Sequence, residues 1–562
     1  MDTAPSLQIA LAFSGGGFRA ACFCLGSLTF LDRITIQTQT LLQQVSVLST
    51  VSGGTITGAR YAIGLKQGET IEEVYHALHA FMRKTNLVEL ALEQLVSDKP
   101  WEGKRMRSMI NAFADIYDTH LFAGAPFAVL LSDEAPTHLK HVCFNTTEFA
   151  NALQFRFQAT EPILSPEPGA PVKGVIGNYY YRIPVEVATA VRMGDILAAS
   201  SCFPGGFEPI NFPDDFVMPE SHRKALLSFS SEAAFPVGLM DGGIVDNQGI
   251  EPVLLAEARM QRNRNKIYPD DEELGNVLDL IIVSDVASPF MKDYKPSVKK
   301  KKNWWRVLTP ATVFSLATVV MLGSAITIYI AVINDYSLLT LLFTFLFTIS
   351  VAIFLLAGFI KGLPEKFKIP AVFLKPFGKL LRLKFLVYEN LIMNRVSSLM
   401  QMTNEVFLKH VRRLNYRLVF NDPAWINRRI MNAIYELREG ETNINSKLSA
   451  GTLPIFLAPS DAIKNVATTA SSMGTTLWFT EEELEKRDML NVLIACGHFT
   501  LCWNLLKYIG DIKKSTVNLT PQHQGLIACE VQLQQHWKQF QEDPLWLVKE
   551  LNTKAITEKV PA

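Results

Sequence analysis

The chain has 562 residues, 48% of them hydrophobic, and its 54 Lys and Arg side chains balance 54 Asp and Glu. That balance excludes a bulk electrostatic attraction to nucleic acid, and the length allows roughly two to four domains or one large domain with insertions. Mean hydropathy is +0.15, high for a wholly soluble protein. The seven cysteines (Cys22, Cys24, Cys143, Cys202, Cys496, Cys502 and Cys529) are scattered, odd in number and form no Cys-x-x-Cys pair. They argue for a reducing compartment and against a disulfide framework.

In chain order, the N-terminal stretch has no basic residues ahead of its apolar ones and does not read as a secretory signal. Leu7–Phe13 is predicted as a strand and Ala20–Arg33 as a helix. Val45–Thr50 is a second strand, Thr55–Gly64 a helix, and Ile71–Val96 helix with polar interruptions. Val142–Thr146 and Tyr180–Pro184 read as strands, Leu164–Gly177 as a Pro- and Gly-rich loop, and Met193–Ser200 as a helix. The nearly continuous apolar run Val277–Asp285 suits a strand buried on both faces. Strands alternating with helices predict an α/β fold with a mainly parallel, helix-covered central sheet.

The middle of the chain changes character. Val307–Ile333 and Leu338–Ile360 carry no charge, and each exceeds the roughly 20 residues needed to cross a bilayer core. Lys299–Lys302, Trp304, Trp305 and Arg306 precede the first run, and Lys361, Lys366 and Lys368 follow the second. The connecting turn holds only Asp335. The positive-inside rule then predicts a transmembrane hairpin with both ends in the cytoplasm. After it, Phe385–Arg413 reads as a long amphipathic helix and residues 425–437 as another. Thr480, with Glu483 three residues on, is predicted to cap a helix running to about Cys496.

Three glycine segments carry chemistry. Gly15-Gly16-Gly17-Phe18-Arg19 lies between a strand and a helix, where uncovered N–H groups bind negative charge. It also satisfies the dinucleotide pattern through Ala20, although the next strand ends Leu48-Ser49-Thr50 without the acid that a ribose requires. Ser52, in Thr50-Val51-Ser52-Gly53-Gly54, sits at a strand-to-helix turn as a nucleophile elbow would, with Thr50 where a glycine is usual. Asp241, before Gly242 and Gly243, follows an apolar stretch and ends a strand. His76/His79 and His138/His141 are i,i+3 pairs expected on the surface, so Asp241 is the stronger candidate base for Ser52.

In this order the three segments resemble the patatin-like phospholipase family. Ile196–Pro204, with Ala199-Ser200 followed by Pro204, and the whole run Asp241–Asn247 add to the resemblance. The resemblance implies a membrane-anchored bacterial member with a three-layer fold interrupted by the hairpin. It implies a Ser52–Asp241 dyad, an oxyanion hole at Gly15, Gly16 and Gly17 with Arg19 nearby, and turn support from Gly53, Gly54, Gly242 and Gly243. The implied reaction is hydrolysis of ester-linked fatty acids from membrane phospholipids by a phospholipase A, with no cofactor, no metal and no nucleic-acid partner, and with homo-oligomerisation left open. The expected organisation is a catalytic region at 1–298, a hairpin at 304–362, a helical continuation completing the catalytic domain at 365–512, and a helical tail at 513–562. The alternatives are a catalytically inactive membrane scaffold of the same fold and a nucleotide-binding membrane protein.

Overall fold

A computed structural model describes residues 7–97, 101, 106–163, 172–183, 189–228, 235–267, 276–287, 303–366, 382–515 and 520–557. The basic run Lys299–Lys302, Lys368, Pro184 and the loop residues 164–171 lie outside these. The chain divides into two compact units, one of Met1–Phe290 with Phe407–Ala562 and one of Met291–Val406.

The first unit is built on a ten-stranded sheet. Its strands are β1 (Ile9–Phe13), β2 (Val45–Val51), β3 (His141–Glu148), β4 (Leu153–Ile163), β5 (Val172–Gly177), β6 (Arg182–Ile183), β7 (Ile210–Phe212), β8 (Val237–Asp241), β9 (Leu280–Asp285) and β10 (Arg429–Ala433). The order is β10-β9-β1-β2-β3-β4-β5-β6, with β8 pairing β3 and β7. From β10 to β3 every neighbouring pair is parallel, and beyond β3 the sheet continues antiparallel.

The parallel core is apolar on both faces, and its side chains alternate between two clusters. Ile9, Leu11, Phe13, Leu280 and Ile282 enter one, while Ala10, Ala12, Ile281 and Val283 enter the other. The first cluster is covered by α1 (Gly17–Arg33), α2 (Gly53–Lys66) and α3 (Met193–Ser201), the second by α4 (Ile250–Ile267). Helices on both faces of a sheet make the three layers.

The second unit contains α5 (Pro310–Ile333) and α6 (Ser337–Lys366). Their pairing rests on small residues. Ala317, Ser324 and Ala331 recur every seventh residue along α5 and are buried, and Ser350 of α6 is buried as well. Small side chains at this spacing let two helices approach closely without a large apolar contact. Most of the remaining surface of both helices is exposed apolar side chain. Helix α7 (Phe385–Gln401) follows, then a single π-turn at Met402–Phe407 and α8 (Leu408–Phe420), which belongs to the first unit.

Four expectations need correction. Residues 425–437 are not a helix. Ile430, Ala433, Ile434 and Leu437 are all buried at helical spacing, but Arg429–Ala433 pairs in parallel with β9 as the edge strand β10. Tertiary pairing overrides the period there, and Asn427 with φ 63 breaks any helix before it begins. Val172–Gly177, expected as loop, is strand β5. The capping bonds of Thr480 and Glu483 are present, yet only a π-turn follows; Asp488, with φ 45, separates it from α9 (Met489–Lys514). The paired histidines are not all on the surface: His141 is buried, and of the three that are partly exposed His79 bonds Asn491 and His138 bonds Tyr61 and the Val45 carbonyl.

Helix α9 lies against α1. A Cβ on Gly26 would stand 2.1 Å from the Ile494 carbonyl oxygen, and one on Gly497 would stand 2.2 Å from that of Phe23. The two backbones meet where both helices lack side chains. His498 Nε2 and Thr29 Oγ1, 2.7 Å apart, tie the crossing.

Candidate active site

Strand β3 is the template of the site. Its residues 141–145 pair with β2, up to Asn145 opposite Val51. There β2 leaves the sheet. Strand β8 takes the vacated edge from the opposite direction, with Asp241 opposite Thr146. Val51 and Asp241 thus occupy consecutive register positions, and Ser52, the residue after Val51, meets Asp241 end-on. The Ser52 hydroxyl lies near enough to the Asp241 carboxylate to favour its ionised form. Both residues are 7% exposed.

The turn at Ser52 is strained, with φ 50 and ψ −119. Its neighbours hold it. The Ser52 N–H donates to Ser200 Oγ at 3.0 Å, and Ser200 Oγ donates to the Asn145 carbonyl at 2.8 Å. Because the Ser200 proton is committed to Asn145, the 2.9 Å contact between Thr55 and Ser200 has Thr55 as donor. Thr50 Oγ1 in turn donates to Thr55 at 3.0 Å. Three hydroxyls therefore run in one direction beneath the elbow.

This accounts for Thr50. Its side chain is fully buried, its hydroxyl feeds that chain, and its methyl has room because the residue facing it on α2 is Gly58. A Cβ on Gly58 would lie 2.3 Å from Thr50 Cγ2. The space normally left by an elbow glycine is supplied here by a glycine on the following helix. Gly53 and Gly54 serve close approach: their Cβ positions fall 2.1 Å from the Gly17 oxygen and 2.8 Å from Phe13 Cβ.

The first glycine segment faces the elbow. The Gly15 N–H donates to the Asn247 carbonyl at 3.0 Å, and that of Phe18 to Thr476 at 2.8 Å. Between them, the N–H groups of Gly16 and Gly17 make no hydrogen bond among the described residues, at the N-terminus of α1 where the helix dipole favours an anion. Arg19 is turned to another task. Its guanidinium donates to the Met473 carbonyl at 2.7 Å and to Thr475 at 3.2 Å, fastening the loop that caps α1.

Asp241 Oδ1 accepts the Gly243 N–H at 2.7 Å, and Gly242 passes so close to Asn145 that a Cβ would lie 2.5 Å from its carbonyl. Burial pushes the Asp241 carboxyl up to about 6, partly opposed by the Ser52 hydroxyl and the Gly243 hydrogen bond. A carboxylate so tuned is a competent proton acceptor near neutral pH.

Sequence reasoning passed over Asn247 as an individual residue, although it closes the Asp241–Asn247 run. A Cβ on Gly15 would lie 2.5 Å from Asn247 Oδ1 and 3.1 Å from Ser52 Cβ; one on Gly243 would lie 2.6 Å from Asn247 Oδ1 and 3.0 Å from Asp241 Oδ1. The carboxamide is wedged between the two glycine turns, and its backbone carbonyl holds Gly15. Further out, Arg412 and Gln248 both donate to Asp285 Oδ2 at 2.7 Å, and Asn415 donates to the Val245 carbonyl at 2.7 Å. Helix α8 is thereby fastened to the end of β9 and to the short helix after Gly242. Among the described residues no cluster of three or more His, Cys, Asp or Glu side chains is arranged to hold a metal ion.

No curated protein matches the sequence. Among solved structures, human GIVD cytosolic phospholipase A2 is similar at 13% identity with a TM-score of 0.29, over 52% of this chain and 47% of that one. The same human enzyme in complex with methyl gamma-linolenyl fluorophosphonate inhibitor and terbium chloride is similar at 14% identity and a TM-score of 0.26, over 51% and 41%. The chain thus spans less than half the length of these structures. Residues 11–254, which contain all three glycine segments and both Ser52 and Asp241, match the family model for patatin-like phospholipases. The chain carries a patatin-like phospholipase domain.

Proposed function

We propose that the protein is a membrane-anchored serine acyl hydrolase that releases ester-linked fatty acids from phospholipids through a Ser52–Asp241 dyad. The observation that carries this reading is the β3 register, which seats the strained serine against a carboxylate whose pKa burial has raised to about 6.

In the reaction, the ionised Asp241 takes the Ser52 proton as Oγ attacks the ester carbonyl carbon. The carbonyl oxygen becomes an oxyanion held by the Gly16 and Gly17 N–H groups. Asp241 returns the proton to the departing alkoxide, which leaves as the lyso-lipid alcohol, and the acyl group stays on Ser52. Asp241 then takes a proton from water as the water oxygen attacks the acyl carbon, and the fatty acid leaves as Ser52 regains its proton. A single carboxylate serves both halves. Asn247 and Ser200 act through others: one spaces the glycine turn from Asp241, the other holds the elbow.

The lipid is supplied by the bilayer in which α5 and α6 anchor the chain. Pro310–Ile333 and Ser337–Leu356 have mean hydropathies of 2.3 and 2.6, and 17% and 6% of their apolar stretches are buried. Helices of that length and exposure suit a bilayer core. The positive residues at the hairpin's outer ends favour a cytoplasmic catalytic unit. The test is fatty-acid release from phospholipid vesicles by the full-length chain. Ser52→Ala should lower it by at least a thousandfold without loss of fold. Release undiminished by Ser52→Ala overturns the assignment.

A further inference from the structure

Helix α7 has seventeen residues and buries none of them. Ile392, Met393, Val396, Leu399 and Met400 are 49–65% exposed. Their spacing places them along one face of the helix. Asn390, Asn394, Ser397, Ser398 and Gln401 occupy the opposite strip. A helix with this division is built for a boundary between an apolar and an aqueous phase.

Where the helix begins points to which boundary. The Phe385 N–H donates to the Leu308 carbonyl at 2.9 Å, two residues before α5 starts at Pro310. Arg306 and Glu389 form an ion pair at 3.3 Å. Helix α7 is thus pinned at the mouth of the hairpin, level with the point where the first apolar helix enters. Its charges suit a lipid surface. Arg382, Lys384 and Arg395 are exposed, and the one acid, Glu389, is engaged by Arg306.

We infer that residues 385–401 form an in-plane membrane helix, its Ile392–Met400 face set among the acyl chains at the headgroup boundary and its basic residues on anionic headgroups. A length of about 25 Å, with a polar strip that covers the C-terminal two thirds of the helix and gives way to Val387 and Leu391 toward its start, suits lying in the boundary rather than crossing it. The exposed basic residues contribute attraction to anionic lipid on the same side. This inference rests on the membrane-spanning reading of α5 and α6.

The test uses the full-length chain in vesicles of phosphatidylcholine and phosphatidylglycerol, with single cysteine reporters and a membrane-impermeant maleimide. The seven native cysteines are buried and give little background. Val396→Cys should be modified about tenfold more slowly than Ser398→Cys, and the two rates should converge when the chain is denatured. Leu341→Cys, on α6, reports on the hairpin itself. Equal modification at 396 and 398 with Leu341→Cys still shielded overturns the in-plane helix and leaves the hairpin standing. Rapid modification of Leu341→Cys overturns both. Shielding of Val396→Cys that disappears as protein is diluted into excess lipid, with disulfide cross-linking between copies, assigns the face to a second chain and also overturns the inference.

Discussion

Helices α9 and α5 are alike in the properties that hydropathy measures. One has 26 residues and mean hydropathy 1.5, the other 24 residues and 2.3. Yet 94% of the apolar stretch of α9 is buried within the protein, against 17% for α5. The difference is what each helix meets. Gly26 and Gly497 let α9 lie directly on α1, whereas α5 meets α6 along the narrow Ala317–Ser324–Ala331 seam and the Phe314–Phe354 ring pair and turns much of the rest outward. An apolar helix of membrane length is assigned by the complementary surface available to it. The comparison also has a functional side. Helix α9 seats α1, whose first turn presents the Gly16 and Gly17 N–H groups.

The largest contrast comes from placing one charge in each helix. Leu501→Asp puts an unpaired carboxylate at a fully buried position of α9. It should cost at least 4 kcal/mol, on the order of the stability of a domain. Loss of the cooperative melt and of ester hydrolysis is the expected result. Leu322 of α5 is 58% exposed, and Leu322→Asp should leave the melting of the first unit and detergent-phase hydrolysis unchanged while weakening membrane insertion. Equal damage from both substitutions would break the comparison.

A second contrast lies within the buried unit, at a group whose ionisation opposes folding. The Asp241 carboxyl rises to about 6 in the fold from an ordinary value of 3.8. The folded protein therefore binds this proton more tightly than the unfolded chain. The penalty is absent below about pH 4 and complete above about pH 6, reaching up to about 3 kcal/mol. Asp241→Asn should be inactive yet melt higher than wild type at pH 7, with the gap closing toward pH 4. A lower melting temperature at pH 7 would show that its hydrogen bonds outweigh the burial of its charge.

The smallest effect concerns close packing. Gly58→Ala forces a methyl against Thr50 Cγ2 and should destabilise by about 1–3 kcal/mol. Thr50→Ser, which removes that methyl and keeps the hydroxyl, should restore most of the loss in the double variant. Additive effects in the double-mutant cycle would separate Gly58 from the elbow.

Local signals made the centre of the fold legible. Strands β1, β2 and β9 are short apolar runs flanked by small or polar residues, and the strand-glycine-helix junctions at Gly15, Ser52 and Asp241 announce turns that few other residues can make. What escaped depends on partners distant in the chain. The period at Ile430–Leu437 is helical, and only the open edge of β9 makes a strand of it. Val172–Gly177 is Gly-rich and follows a Pro-rich run, so its pairing with β4 leaves no local trace. Thr50 looked like a defect because its compensating Gly58 belongs to the next helix. Asn247 shows its meaning only when Gly15 and Gly243 are brought to either side of it.

The dyad can be tested in one labelling series. Full-length protein in phospholipid vesicles is exposed to a fluorophosphonate probe across pH 4.5 to 8, and the adduct is mapped by mass spectrometry. A single adduct on Ser52 is expected, its rate rising with pH through a midpoint near 6 as Asp241 ionises, with at least hundredfold slower labelling of Asp241→Asn. An adduct on another serine, or labelling of Asp241→Asn at the wild-type rate, would contradict it.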